Sequence, residues 1–600
     1  MSLLAELKRR NVIRVAGLYL VGAWLITQVA STLLPLFDAP VWVTRSIVIV
    51  LALGFVPMLV FSWFYELTPA GWKRDADLPP VPAAGGDTAR RIDRAIIVVL
   101  LVALAYFAVD KFVLSRRAST PGIAAAAPGI TGATAASHPA VSDKSIAVLP
   151  LVNEGGAADE QYFSDGLSAD LITALSQFSG LKVIGRNSSF QFRDSKDDSR
   201  AIAAKLGVAH LFTGAVRRDG DVVRIRAELI DAADGSTQWS QHYDRPYKDL
   251  FALQDEIAQA VATALKAKLL AGSGATQSER PPSGNLDAYN AFLQGWFFYA
   301  RRTEPDLKKA IEQFELATRI DPSYAYAWGT ASRTWITFAT SFLEGEAAQS
   351  AYAQGRASAD KALALAPDLA VGHIARGFVL QTVDLDWAGA ESEYERARQL
   401  APDDPTPRFA LGLITATLGR PDEAATLIKA ALSADPLHAS WYGTYADVLN
   451  GLGRGDEAES AIRKAIELQP GATLYHRILA GIAIARGDAA AAEASAQQEP
   501  PGLWHDVALA EARQIGTDRH AADAALDVLI EHHAHNAAYQ IARTYALRRD
   551  ADRTFEWLDR AHSQRDSGLG HLLYDPMMSP FRSDARFAAF CRSVGLPEPR

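Results

Sequence analysis

Three stretches near the amino terminus are apolar almost without interruption, at residues 15–36, 46–65 and 96–114. A helix needs about 20 such residues to cross a hydrocarbon core of ~30 Å. The pattern therefore predicts about three transmembrane helices within a membrane region of residues 1–115. Asp110 and Lys111 interrupt the third run, and Lys111 can carry its ammonium to an interface. Residues 116–143 are Ala, Pro, Gly, Ser and Thr without a periodic apolar face, which predicts a flexible tether. From 144 to 271 short apolar runs alternate with amphipathic ones. SIAVLPL (145–151) and LKVIG (181–185) read as strands. Helices are expected from Ser164 or Asp165 to about Gln177, over 199–206 and over 250–270. Three more strands follow one another between residues 207 and 245, joined at RDGD (218–221) and AADGS (232–236), both Asp-Gly turn signals. GSGATQSERPPSG (272–284) predicts a second linker.

Beyond residue 285 the apolar positions take a helical period and the chain repeats itself. Pro322, Pro367, Pro402, Pro436 and Pro470 close similar blocks, at intervals of 45, 35, 34 and 34 residues. Gly419, Gly453 and Gly487 recur at the same 34-residue step, as do Ala390, Ala424, Ala458 and Ala492. A small alanine lets two antiparallel helices approach, a glycine opens the turn between them, and a proline ends the second helix because it cannot donate a backbone hydrogen bond. This is the tetratricopeptide period. The first interval of 45 implies an insertion of about 11 residues near 337–350. Helix pairs continue at 503–531 and 535–562, and a cap ends the chain, for about six to seven pairs over 285–600. Stacked pairs bury each other's apolar faces and leave a concave groove. Consensus register places Phe409, Leu413, Tyr442, Asp447, Asn450 and Arg477 near that groove, as candidates for binding a protein or peptide partner. The same register allows Phe409 and Tyr442 to be core between repeats.

Charge adds orientation. Lys8, Arg9, Arg10 and Arg14 precede the first apolar run, and Lys73, Arg74, Arg90, Arg91 and Arg94 lie between the second and third. The bias of basic residues toward the cytoplasm then places the amino terminus inside and the soluble domains outside, in the periplasm of a Gram-negative cell. The apolar helices make the lipid bilayer one expected partner. A net charge of −9 argues against a basic nucleic-acid binder. The single cysteine, Cys591, excludes an internal disulfide framework and a cysteine-rich metal site.

Residues 145–258 resemble a known family. The landmarks AVLPL, YFSDGL, VRRDGDVVRIRAELIDAADG and LFALQDEIA are similar to the TolB amino-terminal-like domain of bacterial membrane proteins. The resemblance implies an α+β domain set between a membrane segment and tetratricopeptide repeats. Some relatives carry a nucleotide cyclase or a winged-helix regulator ahead of this domain, and residues 1–94 show neither. The fold class expected is therefore multi-domain, with amino-terminal transmembrane helices, an α+β TolB-like domain and an all-α tetratricopeptide (TPR) solenoid.

Catalytic motifs are lacking: no phosphate-binding Gly-Lys loop, no GxSxG elbow, no HExxH pair. In YFSDGL, Asp165 could serve as an acid or a metal ligand, but Ser164 or Asp165 reads better as a helix cap, with Gly166 allowing a tight entry to the helix. Asp194, Asp197 and Asp198 lack the glycine and distal glutamate of a calcium loop. EHHAH could hold a metal through His532, His533, His535 and Glu531, and reads better as a solvated helix end. Neither a cofactor nor a bound metal is expected, and the function expected is that of a non-enzymatic scaffold or sensor. The alternative is a regulatory subunit that acts on a signalling enzyme supplied in trans.

Overall fold

The computed structural model describes residue 51 and residues 65–68, 71–74, 142–155, 161–266, 268–269, 278–343 and 345–599. Two units divide the chain, at residues 1–134 and 135–600. In the first, β1 (Tyr65–Thr68) and β2 (Gly71–Arg74) form an antiparallel hairpin in which Tyr65 pairs with Arg74. The three apolar runs lie outside the described residues, apart from the helical Leu51 and from Tyr65, which opens β1. Among the described residues no helix is long and apolar enough to cross a membrane.

The second unit opens on a sheet. β3 (Ser145–Val148) is wholly buried and runs parallel to β6 (Lys182–Val183) and β7 (His210–Asp219). The short β4 (Val152–Asn153) also pairs with β7, while β5 (Phe178–Ser179) lies outside this sheet and pairs with Lys268–Leu269. β8 (Val222–Asp231) and β9 (Thr237–Pro246) complete an antiparallel meander. Gly220 and Gly235 take φ of 59° and 77° in its two turns, as the Asp-Gly signals required. Helices α1 (Gln161–Ser176) and α4 (Leu250–Ala264) cover one face, with Phe190 of α2 (Arg186–Phe190) packed against the same core, while α3 (Ser199–Leu206) lies at the other side. Asp198 caps α3 by accepting from the Ala201 N–H at 2.8 Å. The α1 boundary differs from the sequence expectation. Ser164 and Asp165 lie inside α1 rather than at its cap, and Gly166 has a packing role. A Cβ on Gly166 would stand 2.3 Å from Leu293 Cδ1.

Leu293 belongs to the first helix of the repeat array, so this contact joins the two halves. The pairs are α5 (Leu286–Tyr299) with α6 (Glu304–Ile320), α7 (Ala325–Phe342) with α8 (Gly345–Leu365), and α9 (Ala370–Val379) with α10 (Trp387–Leu400). Next come α11 (Pro405–Thr417) with α12 (Pro421–Ala434), α13 (Ala439–Gly451) with α14 (Gly455–Leu468), and α15 (Tyr475–Ala485) with α16 (Ala489–Ala496). α17 (Leu503–Gln514) with α18 (Arg519–His533) and α19 (Ala538–Leu547) with α20 (Ala551–Gln564) bring the described pairs to eight, against six to seven expected. α15/α16 keeps the glycine and the alanine of the period, Gly487 and Ala492, but its second helix is only 8 residues and ends without the usual proline spacing. The expected insertion is absorbed as helix length, because α7 and α8 have 18 and 21 residues where α11 and α12 have 13 and 14.

The packing reasons read from the repeat hold. Ala390, Ala424, Ala458 and Ala492 are all fully buried. Gly419, Gly453 and Gly487 sit at φ of 76°, 72° and 75° between the helices of a pair, a conformation that L side chains rarely adopt. Asp386, Asp404, Asp488, Asp518 and Asp550 each cap the helix that follows.

Two features depart from the picture of a tethered domain and an open solenoid. First, the described part of the expected linker, 278–284, is fixed. Glu279 is buried, its backbone carbonyl accepts from the Tyr324 hydroxyl, and its carboxylate pairs with Arg186 at 3.1 Å. A single apolar core runs from Ile146 to Phe338, through the sheet domain and the first repeats. Second, the chain after α20 does not simply cap the end. Residues 567–581 fold as two tight helical turns along the inner wall, and α21 (Ala585–Ser593) returns to α10, where the Trp387 indole donates to the Val594 carbonyl at 2.8 Å.

A third contact closes the unit. The α12–α13 turn presents Asp435, 1% exposed, to the sheet domain. Asp435 accepts from the Ser188 N–H at 2.8 Å and the Asn187 amide at 3.2 Å, as well as from the Ser188 hydroxyl. The same hydroxyl accepts from the Leu437 N–H at 2.7 Å, and the Gly185 N–H donates to the Ala434 carbonyl at 2.9 Å. Asp435→Ala strands these buried donors, and should cost about 3 kcal/mol of stability. A lowered denaturant midpoint would show it; Ala at the exposed Asp456 should leave the midpoint unchanged.

Candidate functional site

Pinning the sheet domain to α5 and to the α12–α13 turn leaves a cleft between them of about 1590 Å³. The end of α5 supplies one wall through Trp296, Phe297 and Tyr299, followed by Arg301 and Arg302. Helical spacing turns the aromatic rings toward the arginines. Arg301 lies 4.2 Å above the Phe297 ring, and Arg302 lies 4.0 Å above the Tyr299 ring. Arg302 holds φ of 58°, an uncommon conformation for a residue other than glycine. Arg333 of α7 approaches the same phenol. Burial works to raise the Tyr299 phenol, yet the charges of Arg333 and Arg302, with hydrogen bonds to Thr337 and Arg302, bring it below its ordinary value.

The facing wall is a column of three rings. Phe409 stacks on Trp441 at 4.7 Å and 10°, and His438 stacks on the other side at 4.1 Å and 6°. Burial, followed by the charge of Arg302, pushes the His438 imidazole down to about 4, so the column is uncharged at neutral pH. From the sheet domain come Arg186, held by Glu279, and Arg193, held by Asp165 at 2.7 Å. The charged lining amounts to five arginines and two aspartates, Asp165 and Asp194. The whole chain has 60 basic and 69 acidic residues, so the cleft is a local reversal of sign.

The six residues expected at the groove fall in three places. Phe409 and Leu413 line the cleft. Tyr442 is half-buried against the core of its repeat and is absent from the cleft lining. Asp447, Asn450 and Arg477 are not an open surface, because the chain's own His571, Tyr574 and Asp575 cover them. The space left there is about 20 Å³, little more than a water molecule. A Cβ at Gly451 would stand 2.3 Å from the Tyr574 carbonyl oxygen.

Buried charges hold this tail. Glu511 lies 3.6 Å from Arg477 and 3.2 Å from Arg543, and Arg543 lies 2.8 Å from Asp575. Asp575 also accepts from the Tyr539 hydroxyl at 2.9 Å and the Met577 N–H at 2.9 Å. Burial pushes the Glu511 carboxyl up to about 7, against the pull of Arg477. The EHHAH segment offers a different constellation from the one its spacing suggested. His532 and His533 meet Asp506 of α17, with one candidate ligand atom from each within 4.8 Å of the others, and Glu531 and His535 are outside the set. These three could hold a divalent cation, although His533 Nε2 already contacts Asp506 at 3.0 Å.

Sequence reasoning missed Trp296–Arg302, Arg333, and the Ser188–Asp435 contact. The signal for the first was the run WFFYARR, where bulky rings and cations outnumber what one buried helix face needs. The signal for the folded-back tail was apolar density without period, in Leu569, Leu572, Leu573, Met577, Met578 and Phe581.

Comparison with known proteins agrees with the helix-pair geometry. Residues 415–482 match a tetratricopeptide repeat family. The helical region carries tetratricopeptide repeats. Residues 142–260 match the second domain of HilA/YgeH-like transcriptional regulators. A candidate adenylate cyclase of Rhizobium meliloti is 36% identical over 195 residues, which are 32% of this chain and 33% of that protein. The cytochrome c-type biogenesis protein CycH of Bradyrhizobium diazoefficiens is 44% identical over 54 residues, 9% of this chain and 15% of that one. The matched regions thus span a third or less of these curated relatives. A thermophilic TPR protein of Thermus thermophilus superposes at a TM-score of 0.27 and 20% identity, covering 33% of this chain and 98% of that one.

The Glu511 shift sets a pH dependence. Its folded-state value lies above the ordinary 4.5, so the folded protein holds this proton more tightly than the unfolded chain. The stability it contributes is full below about 4.5 and is lost as pH rises toward about 7. Glu511→Gln should flatten the fall of the urea midpoint across that interval.

Proposed function

We propose that this chain is a membrane-anchored, non-enzymatic scaffold or sensor that grips an extended segment of a protein partner between its α/β domain and its repeat array. Tetratricopeptide proteins bind protein or peptide partners, and the question is where this one has room. One observation carries the reading. The tail covers the inner wall at Asp447, Asn450 and Arg477, while the cleft at Phe409 and Leu413 stays open. Its volume of about 1590 Å³ exceeds the roughly 300–1,000 Å³ of small-molecule pockets, and suits a stretch of polypeptide. The apolar runs at 15–36, 46–65 and 96–114 support the anchor, and the basic residues before the first run support a cytoplasmic amino terminus with the soluble domains in the periplasm.

A second reading has its own support: a regulatory subunit that passes partner binding to a signalling enzyme in trans. It rests on the 36% identity to the candidate cyclase and on the regulator-domain match at 142–260. Crosslinking in intact membranes through the 66–95 segment should then capture a cytoplasmic signalling enzyme, and exclusively external captures count against it.

A photocrosslinking residue at Leu413 should give a discrete adduct in membranes carrying the full chain. The exposed Val528 position should give none, and Ser440→Trp, placed at the cleft lining, should abolish the Leu413 adduct. Equal adducts from both positions, indifferent to Ser440→Trp, would contradict the cleft as the partner's seat. A reporter fused after Arg600 and active only when exported checks the topology, and activity only in a cytoplasmic reporter would refute the periplasmic placement.

A further inference from the structure

The seventh helix pair carries a second constellation, apart from the cleft. We infer that Asp506, His532 and His533 form a binding site for one divalent metal ion of the zinc and cobalt class, which ties the start of α17 to the end of α18. None of the three residues lines the cleft, so this site and the partner's seat stand or fall separately.

Antiparallel pairing brings the groups together. Asp506 lies in the first turn of α17, His532 and His533 lie in the last turn of α18, and the two turns meet where His533 reaches Asp506. Packing fixes both ends. Leu503 and Trp504 rest on the apolar core just before Asp506, and Leu526, Leu529 and Ile530 do so before the histidines. The turn beyond α18 is held as well, because the Gln564 amide of α20 donates to the Ala534 carbonyl at 3.0 Å. Ligand atoms carried on packed helices stay close to one geometry, so little order must be created when an ion joins them. A carboxylate at the start of α17 and a cation at the end of α18 also agree with the dipoles of both helices.

The distances fit an ion. His533 Nε2 lies 3.0 Å from Asp506 Oδ2. Nitrogen and oxygen ligands around a tetrahedral ion with bonds of about 2.0–2.1 Å stand roughly 3.3 Å apart. One edge of the polyhedron is thus nearly in place. His532 brings a ring nitrogen within 4.8 Å of both atoms, and it is exposed, so rotation about its side-chain bonds closes the remaining gap. His505 Nδ1 contacts the other carboxylate oxygen of Asp506 at 3.4 Å and so orients the carboxylate. Water on the exposed side completes the shell, as it does in sites with three protein donors.

Donor chemistry selects the ion. Two imidazoles and one carboxylate suit zinc, cobalt, nickel or copper, whereas calcium and magnesium take sets of oxygens. A plain ion pair would need only His533. A second imidazole within reach of the same carboxylate is what a metal uses and an ion pair does not.

The test uses the full chain in nanodiscs, without a histidine tag and stripped of metal by a chelator. Zinc(II) is titrated by calorimetry, and cobalt(II) reports the ligand set through its visible d–d absorption. The expected result is one equivalent of zinc per chain, displacement of bound cobalt by zinc, and a melting temperature that rises on loading. His532→Ala, His533→Ala and Asp506→Asn should each weaken zinc binding at least tenfold and remove that rise, whereas Ala at the exposed His520 should change neither. His532 is itself exposed, so His532→Ala keeps the fold, and an unchanged metal-free melting temperature shows it. Zinc binding that survives His532→Ala combined with His533→Ala overturns the proposal. So does an equal affinity for calcium, which marks an oxygen-only site. The absence of zinc binding, or several weak equivalents that leave the melting temperature unmoved, overturns it too.

Discussion

The structure depends on one buried carboxylate. Asp435 sits at the turn between two repeat helices and is bonded by groups 247 and 248 residues away, in Ser188 and Asn187. Taking a carboxylate out of water is costly, and that cost raises the pKa of Asp435. The Ser188 N–H, its hydroxyl and the Asn187 amide offset it. Without that set, the sheet domain would be held at the first repeats, through the shared core from Ile146 to Phe338 and through Arg186 against Glu279. With it, the domain bridges the first repeat and the fourth, and the space between becomes a cleft with fixed walls. Rigid walls reduce the entropy lost when a flexible segment binds, because only the segment needs to be ordered.

The tail obeys the same logic at the other end. A solenoid exposes an apolar inner wall that neighbouring repeats cannot cover, and here the chain covers it with its own residues 567–596. Tyr574 packs at Gly451, Leu573 at the turn glycine Gly419 and Met577 at Gly481, so small residues of successive repeats act as seats for larger ones. The buried Arg477, Glu511, Arg543 and Asp575 fix the direction and register of that segment more than they add stability, since ion pairs in the interior roughly balance their desolvation. Removing one partner is a different matter, because it leaves the remaining charges uncompensated.

Local rules carried much of the fold into the sequence. The 34-residue step, the buried alanines, the left-handed glycines and the Asp-Gly turns each have a reason within a few residues of chain, and each is found where that reason places it. Phe409 and Leu413 were legible for the same cause, since consensus register fixes the inward face of a first helix. What was hidden depends on distant partners. Gly166 looks like a turn glycine until Leu293 is set against it. Ser188 lies in a sequence with no mark of its bond to Asp435, and the 278–284 segment has a linker's composition yet buries Glu279. Asp447, Asn450 and Arg477 carry the right register and were lost to a tail that no repeat rule places.

The two closures together shape the surface that remains. An array of eight helix pairs would ordinarily offer a long inner wall, on which many segments could slide. The tail takes the rear of that wall and the sheet domain roofs the front, so what stays open is a short, walled stretch instead of a continuous groove. Within it the uncharged ring column gives apolar contact without direction, and the arginines give direction without much apolar area. Neither surface suffices alone, because stacking tolerates many side chains and an exposed cation many anions. Their fixed spacing is set by the packing of successive helix pairs, while the carboxylate at Asp435 holds the sheet domain over them.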